Sequence, residues 1–146
     1  MLGLGSLALA AGAAIAIQAS MNAQLGVQLR NSLLGTAVAF AVSCLVAVAA
    51  VLASTRDYPS LASLRAVPPY LWCGGLLSTF GVGLFYFLIP RMGVGPMMSF
   101  ALTGQILVAV AASHYGWFDL PVRTLNATRA VGVASLGLGI LLINWK

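Results

Sequence analysis

Acidic side chains are almost missing from this chain: Asp57 and Asp119 are the whole complement in 146 residues. Both fall between apolar stretches, so no carboxylate is expected at membrane depth. Exporters that trade protons for organic cations rely on an intramembrane Asp or Glu, because a buried charge is costly without such a task. That mechanism finds no support in these residues. Histidine occurs once, at His114, and cysteine twice, at Cys44 and Cys73. Metal-ligand clusters are thereby excluded, and a disulfide framework is not expected from two cysteines inside apolar segments, where they act as small apolar residues. No Ser/His/Asp set has a workable spacing, and no glycine-rich phosphate loop follows a strand. The chain reads as neither an enzyme nor a holder of a metal or cofactor.

What is abundant is hydrocarbon. Apolar residues form 61% of the chain and charged ones 6%, and the mean hydropathy is +1.02. A soluble domain of this size needs more polar surface. The net charge of +5 would suggest nucleic acid in a soluble protein. Here the basic residues stand singly between apolar stretches, as topology signals and interface anchors, and no nucleic-acid partner is expected. The fold class expected is all-α: one integral membrane domain, residues 1–146, built as a bundle of five transmembrane helices.

The hydrocarbon core needs about 20 apolar residues per helix. Spans are expected at about 2–29, 33–54, 69–89, 96–113 and 128–145. The first stretch is too long for a signal-peptide core and lacks a positive flank, so it is kept as a span. Leu61–Val67 reads as a short interfacial turn. Pro68 and Pro69 open the third span, where missing N–H groups cost nothing, and Pro90 is expected to stop it. Gly95-Pro96 starts the fourth span, and Asn126 is the expected N-cap of the fifth. Tyr58, Tyr70, Trp72, Tyr115, Trp117 and Trp145 cluster near span ends, as amphipathic rings do at headgroup depth.

Five crossings put the termini on opposite sides. Arg56, Arg65, Arg123 and Arg129 then share the N-terminal face, against Arg30, Arg91 and Lys146 on the other. So even a split gives the positive-inside rule little to act on. Two readings stay open: insertion in both orientations, or one weak preference with an oppositely biased partner chain.

Polar residues inside the spans are the candidate site. Gln18 and Asn22 share a face of the first span, as do Ser20 and Gln24. Amides in hydrocarbon need partners, so they are either interhelical glue or the lining of a cavity. Gln105, with Ser99 and Thr103, offers the same choice in the fourth span, and Tyr86 in the third is a stacking site or ordinary packing. Arg91 either reaches into the headgroups or forms an anion-attracting gate. His114 is interfacial or proton-handling. Gly132, Ser135 and Gly139 make a small-residue stripe for a dimer contact or for packing within the chain; Gly74, Gly75 and Ser78 make another. The tripeptide Asn126-Ala127-Thr128 matches a glycosylation acceptor, a pattern too short to weigh.

The stretch Gln18-Ala19-Ser20-Met21-Asn22-Ala23-Gln24-Leu25-Gly26 resembles the amide-rich first-helix signature of YdcZ-type proteins, a half-size branch of the drug/metabolite transporter superfamily. Trp72-Cys73-Gly74-Gly75-Leu76, Pro90-Arg91-Met92-Gly93 and Thr103-Gly104-Gln105-Ile106 match in order. So do Ser113-His114-Tyr115-Gly116-Trp117-Phe118, Arg129-Ala130-Val131-Gly132 and Gly137-Leu138-Gly139. One departure is Ser113, where the family commonly carries an acid. The resemblance implies a multi-pass inner-membrane protein, two copies of which, or two related chains, pair head to tail into an inverted ten-helix frame. It implies transport of a small solute, and the polar residues then read as its path by alternating access, with Gln18, Asn22 and Gln105 lining a midplane cavity and Ser99, Thr103 and Tyr86 as second choices. A channel on the same frame, and an accessory subunit without cargo, are the alternative readings.

Overall fold

The computed structural model describes residues 2–119 and 121–145, and every regular element among them is helical. The chain forms two compact units, Met1–Arg91 and Met92–Lys146.

The first unit begins with a helical hairpin, α1 (Leu2–Gln28) and α2 (Ser32–Ser54). Asn31 caps α2: its side chain accepts from the N–H groups of Leu33 at 2.9 Å and Leu34 at 3.3 Å. Two groups that open every helix without an internal partner are thereby satisfied. Arg30 turns the chain with a φ of 53°, a left-handed conformation that glycine or asparagine adopts more cheaply. Just beyond the turn the two backbones touch. A Cβ on Gly35 would lie 3.0 Å from the Gly26 Cα and 3.1 Å from the Asn22 carbonyl oxygen. Small residues permit such approach, which is how helices associate without a hydrophobic drive. Burial concentrates at this end, in Ala19, Ala23 and Thr36, while residues 3–15 of α1 and 41–54 of α2 are exposed in the single chain.

A short α3 (Leu61–Arg65), capped by Ser60, occupies the expected interfacial turn. A 3-10 turn at Pro69–Cys73 then leads into α4 (Gly74–Met92). Gly83 of α4 sits against the start of α2, where a Cβ would meet the Thr36 Oγ1 at 3.6 Å and a Leu33 methyl at 3.9 Å. Here the structure corrects the expected boundary: α4 passes through Pro90 and ends at Met92. Proline cannot donate to the Tyr86 carbonyl, yet its fixed φ suits a last helical turn. The stop falls at Gly93, whose φ of 87° suits only glycine.

The second unit pairs α5 (Val94–Tyr115) with α6 (Ala127–Ile143). Pro96 lies inside the first turn of α5 rather than ahead of it. Asn126 caps α6 as expected, accepting from the Arg129 N–H at 2.9 Å. The connecting loop is tied to both helices. The Arg123 N–H donates to the Ser113 carbonyl at 2.8 Å, and the Arg129 guanidinium donates to the carbonyls of Arg123 at 2.9 Å and Thr124 at 3.0 Å.

Among the described residues, four stretches are long and apolar enough to cross a membrane: Gly3–Gln28, Ser32–Ser54, Pro69–Met92 and Val94–Tyr115. The fifth expected span is helical but short. α6 has 17 residues and ends at Ile143 rather than Trp145. Its length is about 26 Å, against a hydrocarbon core of about 30 Å. Lys146, counted above on one face, lies outside the described residues.

Candidate functional site

In the first unit, Gln18, Asn22 and Tyr86 close into a triangle. The Asn22 amide donates to the Gln18 Oε1 at 2.7 Å and to the Tyr86 hydroxyl at 2.9 Å. The Tyr86 hydroxyl donates in turn to the same Gln18 oxygen at 2.7 Å. Helical geometry accounts for half of this, since Gln18 and Asn22 are four residues apart on α1. The other half comes from α4, whose packing on α2 brings Tyr86 in; that ring is 2% exposed. Gln18 lies ten residues before the end of α1, about 15 Å along the helix, or half the hydrocarbon thickness.

The triangle is satisfied inside and open outside. The Gln18 Nε2 and the Asn22 Oδ1 make no hydrogen bond among the described residues, and Gln18 is exposed. Asn22 is half-buried, and no fully buried side-chain nitrogen or oxygen lacks a partner among the described residues, so its spare Oδ1 keeps some access to the surroundings. Ser20 is spent on its own helix, donating to the Ala16 carbonyl at 2.8 Å.

Above the triangle is a cavity of about 480 Å³, lined by Gly26, Arg30, Asn31, Ser32, Tyr86, Phe87 and Arg91, with Val27 and Pro90. The Arg91 guanidinium lies 3.5 Å over the Phe87 ring and donates to the Phe87 carbonyl. Arg91 thus rests on its own helix at the cavity wall. Arg30 entered the sequence reading only as a topology charge. Its place here follows from the tight α1–α2 turn, for which Asn31 followed by an apolar helix was the available signal.

In the second unit the candidates divide. Ser99 is buried; its Oγ donates to the Pro96 carbonyl at 2.8 Å and accepts from the Asn144 amide at 3.1 Å. Thr103 donates to the Ser99 carbonyl at 3.0 Å. The Ser99 hydroxyl joins α5 to the end of α6, while that of Thr103 is spent on its own helix, and Asn144 is the partner that sequence reasoning missed. Gln105 is exposed and makes no hydrogen bond among the described residues. The His114 Nδ1 accepts from the Leu125 N–H at 3.1 Å. Its ring meets Tyr115 edge-on at 4.8 Å, and Tyr115 stacks on Trp117 at 6.4 Å. That arrangement latches the loop and needs an unprotonated Nδ1.

Gly132 and Ser135 are exposed and Gly139 is half-buried. A Cβ on Gly132 or Gly139 would have nothing within 4 Å among the described residues, so α5 does not pack closely on the stripe within the second unit. Among the described residues no group of His, Cys, Asp or Glu could hold a metal.

Residues 4–142 match the family described as "Putative inner membrane exporter, YdcZ". No curated protein and no solved structure matches the chain.

Proposed function

The chain belongs to the YdcZ inner membrane exporter family and is a multi-pass inner-membrane protein, and from that premise we propose that it carries a small solute across the membrane as an antiparallel dimer. One observation carries this reading: the Gln18–Asn22–Tyr86 triangle, whose internal bonds fix its shape while the Gln18 Nε2 and Asn22 Oδ1 stay unengaged. In hydrocarbon an unengaged amide group costs several kcal/mol. A solute, ordered water or a second copy must meet it. Glue closed within one chain would leave neither group over.

In this reading α6 supplies the fifth crossing. Its 17 residues fall short by roughly a turn, which local thinning of the bilayer offsets at a fraction of a kcal/mol per Å. The unused stripe at Gly132, Ser135 and Gly139 is where the second copy docks, and Gln105 presents its free amide to the shared pathway. Ser99 braces α5 against the end of α6 through Asn144, and Thr103 stands beside it on α5. A pair of opposed, identical chains has two facing states that interconvert by exchange of roles, which alternating access needs.

The test uses proteoliposomes. Vesicles containing wild-type protein are incubated with a small-metabolite extract, and the lumen is assayed by mass spectrometry. We expect at least one solute to accumulate with saturation, and to do so less with Gln18→Leu or Asn22→Leu. Each lost bond is worth about 0.6 to 2 kcal/mol, roughly three- to thirtyfold. Flux that never saturates would identify a pore, and a lumen identical to that of empty vesicles would end the transport reading.

A further inference from the structure

The 480 Å³ cavity beside the triangle has a chemical character of its own. Two arginines, Arg30 and Arg91, belong to its lining, together with Asn31 and Ser32 at the start of α2. Both acids of the chain stand elsewhere, in loops, and among the described residues no carboxylate pairs with either arginine. The first turn of α2 contains no acidic residue, so the positive end of its dipole adds to the same field. Like charges gathered beside a low-dielectric wall are unfavourable unless something negative enters.

The Arg91 side chain is also held, and Arg30 stands on a constrained backbone. Arg91 is fixed by the Phe87 ring and carbonyl, and the rest of its N–H fork is unused among the described residues. Arg30 occupies a left-handed backbone position that a glycine would fill without strain. Strain kept at a cavity wall points to a use for the side chain there.

We propose that this cavity binds an oxyanion, a phosphate or carboxylate group, between Arg30 and Arg91. Guanidinium forks match the two oxygens of such groups, and a fixed fork loses little freedom on binding. Because Tyr86 belongs both to the cavity wall and to the triangle, an anion here sits at the head of the pathway. Resting on the transport reading, this makes the cargo a small acid rather than an organic cation. A lipid headgroup offers the same phosphate chemistry, and the test separates the two sources.

Full-length protein in a maltoside detergent, which carries no phosphate, is examined by native mass spectrometry. One arm adds inorganic phosphate or succinate; the other adds short-chain phosphatidylglycerol. The variants are Arg30→Gly, which removes the charge and relieves the backbone, Arg91→Gln, their double, and Arg65→Gln as a distant control. Arg91→Lys tests whether charge without the fork suffices.

We expect anion adducts on wild type and on Arg65→Gln, and a drop of about tenfold or more in the double variant. That is the loss of roughly one charge-assisted bond. Arg91→Lys should fall between. Loss in the soluble-anion arm identifies cargo, and loss in the lipid arm alone identifies a headgroup; both support the oxyanion site. Equal adducts on the double variant and Arg65→Gln, or none on any protein, would overturn it. Because binding is read without flux, an arginine-dependent site in a protein that moves nothing would overturn transport alone.

Discussion

A phenol and two amides set the character of the interior. Removing the Tyr86 hydroxyl with Tyr86→Phe takes one of two donors from the Gln18 Oε1 and one acceptor from Asn22. The expected cost is about 1 kcal/mol in thermal or denaturant unfolding. Gln18→Leu takes the acceptor of two bonds and leaves the buried Tyr86 hydroxyl without one, so it should cost at least as much, about 1 to 3 kcal/mol, and in a site role should lower flux as well. A site role and a glue role thus separate by which readout moves. Arg30 makes a second case at this scale. Arg30→Gly relieves a left-handed residue and should raise stability by about 1 kcal/mol, with chemical denaturation as the measure. At His114 the Nδ1 accepts from the Leu125 N–H, which ties the end of α5 to the loop before α6.

Helices in this chain meet where side chains are absent. Gly35→Ala places a methyl 3.0 to 3.1 Å from the backbone of α1, which neither helix can accommodate without moving apart. A loss of about 1 to 3 kcal/mol follows. Gly104→Ala has open space around it and should be neutral in the same unfolding assay. Gly139→Leu separates the two roles of the α6 stripe. With nothing near its Cβ within the chain, it should leave the monomer folded while lowering the dimer fraction seen by native mass spectrometry.

These elements also show how far the sequence reaches. The Asn126 cap is local chemistry and was legible, as were the apolar lengths of α1, α2 and α5. Pairing of Gln18 with Asn22 followed from helical spacing alone. Tyr86 was ambiguous because Phe85 and Phe87 flank it, and only the contact of Gly83 with α2 decides which ring points inward. Pro90 misled because a proline's effect depends on how many turns follow it, which a pattern does not reveal. Arg30 and Asn144 were passed over for one reason: each lies at a helix end, where ordinary interface anchors are also found.

At the scale of the whole molecule, the buried apolar residues among those described are Ala19, Ala23, Tyr86 and Ile89 in the first unit and Met97 in the second, while many leucines, valines and phenylalanines remain exposed. Lipid can cover such side chains, but it cannot satisfy the spare amides of Gln18, Asn22 and Gln105. A second copy or a solute can. The basic residues, nearly balanced between the two faces, place no strong bar on a pair inserted in opposite directions.

Head-to-tail pairing of identical chains into an inverted frame requires an odd number of crossings, and in the proposed reading α6, shorter than the four helices of spanning length, is the element that makes the number odd. Label counting addresses it most directly. Cys44 and Cys73 are first replaced by Ala, because both are free and exposed. One cysteine is then placed at Gly3 and one at Asn144 of the same chain. Sealed cells are treated with a membrane-impermeant maleimide, and the purified protein is weighed intact. The account predicts one label on every chain, whichever way that chain was inserted. Chains carrying two labels or none would put both ends in one compartment and contradict it.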